Sequence, residues 1–196
     1  MDLMDINEDQ RSPLVRRVVE RIDASVVGMT EAEMIWRPEG KWSTAEIIEH
    51  LSLAFLVTVK AGRFVLRQES PEIRRSTILE RVLVTLAIDL GYFFMRLKAP
   101  RMVTPRGMAP EEARKVMLQS LIDMDEVLRQ CLEKFGAGRP ILPHPFLGPL
   151  TVEQWRKFHV VHTRHHMKQV KALRGKMKSL VLAENANAAE IGAPSA

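Results

Sequence analysis

Two histidines near the end of the chain have a spacing that suits a metal site. His162 and His166 are four residues apart, and on a helix this spacing places both side chains on the same side, one turn apart. Two imidazoles in this arrangement can bind one divalent metal ion. A third ligand has to come from another segment. His50 is the best candidate because it shares the inward face of a second predicted helix with Ile47 and Leu51.

The histidine pair lies on the helix face that is expected to point into the protein. Trp155, Gln169 and Leu173 recur with the pair at helical spacing, whereas Lys168 falls on the opposite side. Buried imidazoles are costly unless their nitrogens have partners, and a metal supplies one partner for each ring. Ordinary core histidines bonded to backbone or carboxylate groups are the alternative, and the addition of His50 to the pair favours the metal.

The expected metal is a transition metal in an open site. Histidine-only ligation is typical of zinc, nickel, copper or iron rather than magnesium or calcium. Three protein ligands leave at least one position for water, which is the arrangement of a catalytic site. No general base is evident. Glu46, one turn before His50, is better explained as a helix cap, and Asp89 is either a buried acid behind the metal or a polar group facing a partner subunit.

The other three of the six histidines are not predicted to be ligands. His159 and His165 fall about 60° to either side of the pair and are interpreted as flanking residues. His144 lies in a proline-rich connection, where it is a loop histidine or a residue of a lid.

The composition is that of one folded domain. The chain has 196 residues, of which 46% are hydrophobic and 27% charged, enough for a well-buried core. We place a single domain at residues 1–182 and a flexible C-terminal tail at 183–196. The net charge of +5 is spread among acidic residues and accompanies no recognised nucleic-acid motif. It therefore argues against nucleic-acid binding.

Cysteine content and hydropathy indicate a cytoplasmic protein. Cys131 is the single cysteine, so an intrachain disulfide is impossible, which suits a reducing cytosol. Its apolar neighbours predict a buried side chain. The acidic N-terminus is not expected to act as a signal peptide. The longest apolar run, 82–95, contains Asp89 and is too short to span a bilayer, so no membrane contact is expected.

Five helical segments position the histidines, and no strand pair is convincing. They are predicted at about 13–27, 43–68, 71–98, 111–135 and 151–178, with the third bent or broken near Gly91. Capping boxes are predicted at Thr30, Ser43 and Thr151. Long crossovers at 100–110 and 140–149 separate the last three helices. This pattern predicts an all-α four-helix bundle with an extra short turn, and the apolar run 82–95 favours a homodimer.

Three segments, in order along the chain, resemble those of a known family. Residues 36–51 contain the pattern Trp-Ser-x-x-Glu-x-x-x-His-Leu, residues 144–155 form a loop and helix start, and residues 159–169 contain His-x-x-His-His-x-x-Gln. All three resemble the DinB-like family of metal-binding four-helix bundles. The resemblance implies that fold, with metal ligands at His50, His162 and His166. It also implies zinc or nickel as the metal, and a dimer.

The resemblance further implies a class of function. Some family members are thiol-dependent transferases or isomerases that use bacillithiol, mycothiol or glutathione. The expectation is therefore a metal-dependent enzyme with a small-molecule substrate, either a hydrolase or an S-transferase that also uses a low-molecular-weight thiol. The alternative is a non-catalytic metal-binding or stress-related scaffold. Residues 70–110 match no motif, so the substrate stays open.

Overall fold

Six α-helices and one pair of short strands make up the computed structural model, which describes residues 12–91 and 99–191, with side chains as far as residue 183. The elements are α1 (Pro13–Val26), α2 (Glu31–Ile35), α3 (Thr44–Leu66), α4 (Ile78–Val84), α5 (Pro110–Phe135), β1 (Pro140–His144), β2 (Gly148–Thr151) and α6 (Val152–Ile191). A π-helical turn, Thr85–Asp89, follows α4, and a 3-10 turn, Arg101–Val103, precedes α5.

The helices begin where the sequence supplies a cap. Ser12 accepts a hydrogen bond from the amide of Val15 at 3.2 Å, and Pro13 takes the first position of α1, where its missing N–H costs nothing. Reciprocal capping boxes open three further helices, as predicted: Thr30 with Glu33, Ser43 with Glu46, and Thr151 with Gln154.

Helices α1, α3, α5 and α6 form the predicted four-helix bundle. Helix α3 packs along α5, α1 packs on α6, and α6 also contacts both α3 and α5. The centre of the bundle is filled by completely buried side chains, including Phe55, Leu121, Leu128 and Val170. This burial fixes the faces of α3 and α6, and with them the direction of every histidine that these helices carry.

A glycine allows α3 and α5 to approach closely. A Cβ atom added at Gly62 would lie 2.3 Å from Cγ1 of Val127, well inside van der Waals contact. The α3–α5 spacing therefore depends on the missing side chain. Cys131, one helical turn after Val127, is fully buried, as predicted. Burial raises the pKa of its thiol to about 11, which makes it a core residue rather than a nucleophile.

The predicted helix from residue 71 is wrong at its start. The helix begins instead at Ile78, where Thr77 and Glu80 form a capping box. The preceding loop is held by Arg139, which donates to Ser70 Oγ at 2.7 Å and to the carbonyl of Pro71 at 3.1 Å. The predicted break does occur: the helical turn after α4 ends at Asp89, and Gly91 has a non-helical φ of +68°. The rest of the predicted helix, 92–98, lies outside the described residues.

The absence of a strand pair was also wrongly predicted. The proline-rich connection forms an antiparallel hairpin in which Leu142 pairs with Leu150, and Pro143 pairs with Pro149. Prolines are tolerated here because both strands of a two-stranded sheet are edges. His144 closes the turn, since its Nδ1 accepts hydrogen bonds from the amides of Phe146 and Leu147 at 3.2 Å each.

The last helix is longer than predicted. It continues past the expected end near residue 178 to Ile191, through a stretch rich in alanine, the strongest helix former. The predicted tail from residue 183 therefore begins inside α6. Its last residues, 192–196, lie outside the described part of the chain, and the flexibility of the tail stays a prediction.

Candidate metal centre

The structure brings His50 on α3 together with His162 and His166 on α6. Nε2 of His162 lies 3.3 Å from Nε2 of His50 and 3.0 Å from Nε2 of His166. One ring nitrogen from each histidine lies within 4.8 Å of the other two. The side chains are 5%, 8% and 6% exposed, respectively. Three imidazoles thus converge in a nearly buried position between two helices.

The other nitrogen of the His50 ring is held by the backbone. Nδ1 of His50 lies 2.7 Å from the carbonyl oxygen of Val103, in the 3-10 turn before α5. A carbonyl can only accept, so Nδ1 carries the proton and Nε2 presents a lone pair. This arrangement is typical of metal-binding histidines, whose outer nitrogen donates to a carbonyl or carboxylate.

The His166 ring is fixed in the same way by a side chain. Its Nδ1 donates to Oε1 of Gln169 at 2.9 Å, three residues further along α6. The amide nitrogen of Gln169 in turn donates to Nε2 of His165 at 3.1 Å. Gln169 is therefore oriented by His165 and leaves the lone pair on Nε2 of His166 directed toward His50 and His162. His165 thus contacts Gln169 and is not one of the three histidines whose nitrogens converge.

The donor set and its spacing fit a transition-metal ion. For metal–nitrogen distances of about 2.0–2.1 Å and tetrahedral angles, two ligand nitrogens are about 3.3 Å apart. The separations of Nε2 of His162 from those of His166 and His50, 3.0 and 3.3 Å, are near this value. Lone pairs on His50 and His166 both face Nε2 of His162, which can donate a proton to only one of them. A cation at the point where the three meet would satisfy all three nitrogens.

Burial keeps the three rings neutral, as metal ligation requires. Removal from water lowers the pKa of His166 to about 3, and the neighbouring His50 adds to the effect. Burial also lowers the pKa of His162 well below its ordinary value. For His50, burial lowers the pKa, and the Val103 carbonyl opposes this shift. At neutral pH none of the three rings therefore carries a second proton that a metal would have to displace.

Aromatic rings border the centre on two sides. The Trp42 ring lies 4.9 Å from the His50 ring, centroid to centroid. The Phe158 ring is stacked on His162 at 5.3 Å with an interplanar angle of 14°. His144, at the end of β1, contacts the Phe158 ring at 4.6 Å. The hairpin therefore supports one apolar side of the site.

The remaining candidate residues lie away from the three converging nitrogens. Glu46 forms the capping box of α3 and an ion pair with Arg37, in agreement with its interpretation as a cap. Asp89 is exposed and pairs with Lys157 at 3.4 Å, so it is not a buried acid. His159 is a core histidine.

Three contributors to the site were not assigned from the sequence. The acceptor for His50 is a backbone carbonyl in a crossover loop, and no residue type signals such a role. Gln169 was placed on the correct face but given no function. Glu49 is 2% exposed and was not singled out, although a carboxylate in a mostly apolar stretch of helix was a visible signal.

The fold and the site together define a helical bundle with a buried cluster of three histidines. A family model described as the DinB superfamily matches residues 14–170. The chain therefore belongs to the DinB superfamily, as its motifs predicted.

A solved structure supports the same architecture. YfiT from Bacillus subtilis, described as a probable metal-dependent hydrolase with an unusual four-helix bundle topology, superposes with a TM-score of 0.54. The match covers 91% of this chain and 93% of that chain at 17% sequence identity, and at this identity it bears on the fold alone. No match was found among curated proteins. In the described ranges, no helix is long and apolar enough to cross a membrane.

Proposed function

We propose that His50, His162 and His166 hold one divalent transition-metal ion, zinc or nickel, and that the chain is a metal-dependent enzyme acting on a small molecule. The convergence of three Nε2 atoms carries this proposal: those of His50 and His166 lie 3.3 and 3.0 Å from that of His162. It is supported by the two outer hydrogen bonds, to Val103 and Gln169, which set the tautomers that ligation needs.

The ligand set favours activation of a nucleophile. Three neutral imidazoles leave a bound divalent ion its full charge, so it supplies Lewis-acid chemistry that lowers the pKa of water or of a thiol and polarises a carbonyl. The chain contributes a site of low solvent access, because the rings of Trp42 and Phe158 flank His50 and His162. Electrostatic effects are stronger in such an environment than in water.

Hydrolysis is the reaction that we propose first. YfiT, which shares the fold, is described as a probable metal-dependent hydrolase, and water is the nucleophile always present. A thiol-dependent S-transfer would use the same three histidines with a low-molecular-weight thiol in place of water. The two reactions differ in whether turnover needs an added thiol, which makes them separable by assay.

A homodimer in the cytoplasm remains part of the proposal. The outer face of α4 and the following turn is apolar and open: Ile78 is 73% exposed, Leu79 67% and Leu90 59%. Exposed apolar side chains grouped on one segment are typical of a protein contact. Sedimentation of the native chain beside Leu79→Glu would test this part independently of the metal.

Elemental analysis tests the metal site directly. Native protein, His50→Ala and His162→Ala should be compared with Lys171→Ala, a control that changes an exposed residue of the same helix outside the cluster. We expect about one metal ion per chain in the native protein and in the control, and loss of metal in the other two. Undiminished metal in either ligand variant would contradict the three-histidine site.

Activity assays would then separate enzyme from scaffold. The metal-free, zinc-loaded and nickel-loaded forms should be incubated with esters, amides and electrophilic alkyl compounds, each with and without a thiol. Hydrolysis by a loaded form alone would support the first reaction, and strict thiol dependence the second. A fully loaded protein whose metal binds neither azide nor an added thiol would instead indicate a closed, non-catalytic site.

A further inference from the structure

The crossover loop before α5 is attached to α3 by a buried carboxylate. Glu49, 2% exposed, accepts three consecutive backbone hydrogen bonds: Oε1 from Arg106 at 2.8 Å, and Oε2 from Gly107 at 3.0 Å and Met108 at 2.9 Å. Gly107 has a φ of +90°, which turns the successive amides toward one point. Such a run of N–H groups forms a nest that binds anions.

The same loop supplies the acceptor for the neighbouring histidine. His50, next to Glu49 on α3, donates from Nδ1 to the carbonyl of Val103 at 2.7 Å. The loop is thus fixed to α3 at two points, through Val103 near its beginning and through residues 106–108 near its end. Hydrogen bonds to a charged acceptor are about twice as strong as neutral ones, so the three bonds of Glu49 are the stronger attachment.

We propose that Glu49 is a positioning residue for the metal site, acting through this loop on the His50 ring. By fixing residues 106–108, its carboxylate keeps the Val103 carbonyl on Nδ1 of His50, and this keeps the lone pair of Nε2 directed at His162 and His166. If the loop loosens, the His50 proton can occupy either ring nitrogen and the ring can rotate. The expected effect of Glu49 on metal affinity rests on the proposed metal site. Its expected effect on the His50 tautomer does not.

Glu49→Gln is the variant that tests the proposal with least change of shape. An amide has one accepting oxygen, and its NH2 group would face at least one backbone N–H of the nest, so one or more of the three bonds must be lost. Val59→Ala is the control, because Val59 is equally buried on α3 and its truncation lowers stability without touching the loop.

Three measurements on the full chain decide the matter. In Glu49→Gln we expect faster hydrogen exchange of the amides of residues 106–108. We also expect a mixture of His50 tautomers in ¹H–¹⁵N imidazole spectra of the metal-free protein. Zinc affinity, measured by chelator competition, should fall about tenfold to a hundredfold, the usual effect of losing an outer partner of a ligand. The Val59→Ala control should leave the tautomer and the affinity unchanged.

Some outcomes would overturn the proposal. Faster exchange of the loop amides with native tautomer and native zinc affinity would show that Glu49 only stabilises the loop, and unchanged exchange would show that it does not hold the loop at all. If Glu49→Gln does not fold, Gly107→Ala weakens the same nest from the loop side, and the same readings apply. If the native chain binds no zinc, the proposed function fails, while the His50 tautomer in Glu49→Gln still decides this inference.

Discussion

The buried His159 should make the free energy of unfolding depend on pH, and replacing this residue should remove its contribution to that dependence. His159 is completely buried on α6. Its Nε2 lies 3.0 Å from Oγ1 of Thr58, and that hydroxyl itself donates to the carbonyl of Ala54 at 3.2 Å. Nε2 is therefore the donor, and Nδ1 has no hydrogen-bond partner among the described residues. A second proton would sit on a buried N–H without an acceptor, which is costly.

The size of the effect follows from the pKa. Burial lowers the pKa of His159 to about 3, with a smaller contribution from His144, against about 6.5 in an unfolded chain. Between these values the unfolded state binds more protons, so stability falls as the pH is lowered. At pH 5, about 1.5 units below the pKa in the unfolded chain, the protein should have lost about 2 kcal/mol of unfolding free energy relative to pH 7. The loss should reach about 5 kcal/mol when the pH is low enough to protonate His159 in the folded state as well.

His159→Leu tests this reasoning. Leucine cannot be protonated and fills a similar volume, and Thr58 keeps its bond to Ala54. We expect the loss in unfolding free energy between pH 7 and pH 5, measured by urea denaturation of the metal-free chain, to be about 2 kcal/mol smaller in the variant than in the native protein. His165→Leu, at a partly exposed position, should change the loss by less. Equal losses in His159→Leu and native protein would refute the assignment of a neutral, buried His159.

Two further predictions concern packing and the outer contacts of the site. Gly62→Ala should destabilise the protein by about 1–3 kcal/mol in urea titrations, because the new Cβ overlaps Val127. Gly175→Ala, in α6 where a Cβ meets nothing within 4 Å, should stabilise the protein by about 0.5–1 kcal/mol. If Gly175→Ala destabilised the protein as much as Gly62→Ala, the packing argument would be contradicted. Gln169→Ala should weaken zinc binding about tenfold to a hundredfold in chelator competition, because His166 loses the acceptor that fixes its tautomer; native affinity would show that this contact is unimportant.

Local signals in the sequence accounted for most helix starts. The boxes at Thr30, Ser43 and Thr151 were predicted because a cap satisfies amides within three residues of itself. The start of α4 was missed because Ser70-Pro71 looks like a helix start, and only the contact with Arg139, 69 residues away from Ser70, shows why the chain stays extended there. The hairpin was missed for a similar reason, since Pro143 and Pro149 argue against strands unless both strands are edges.

The candidate site was predictable in residues but not in its supports. His162 and His166 could be paired from spacing alone, because a helix places i and i+4 together. His50 approaches the pair only because α3 packs against α6. Periodicity predicts that His50 faces inward, but not which helix it meets. The role of Val103 depends on the path of a loop, and that of Glu49 on three backbone amides meeting at one carboxylate. Such contacts involve main-chain atoms, which every residue possesses, so the sequence does not show where Val103 and Glu49 find their partners.

The two halves of the site differ in what holds them. The α6 half is local: His166 is oriented by Gln169 one turn away, so any helix containing these residues presents the pair. The α3 half is tertiary, because His50 depends on a carbonyl 53 residues away and on the loop that Glu49 fixes. Disturbing the loop should therefore remove one ligand and leave two. It follows that metal affinity at the proposed site should respond to the conformation of residues 103–108, whereas the His162–His166 pair should persist for as long as α6 does.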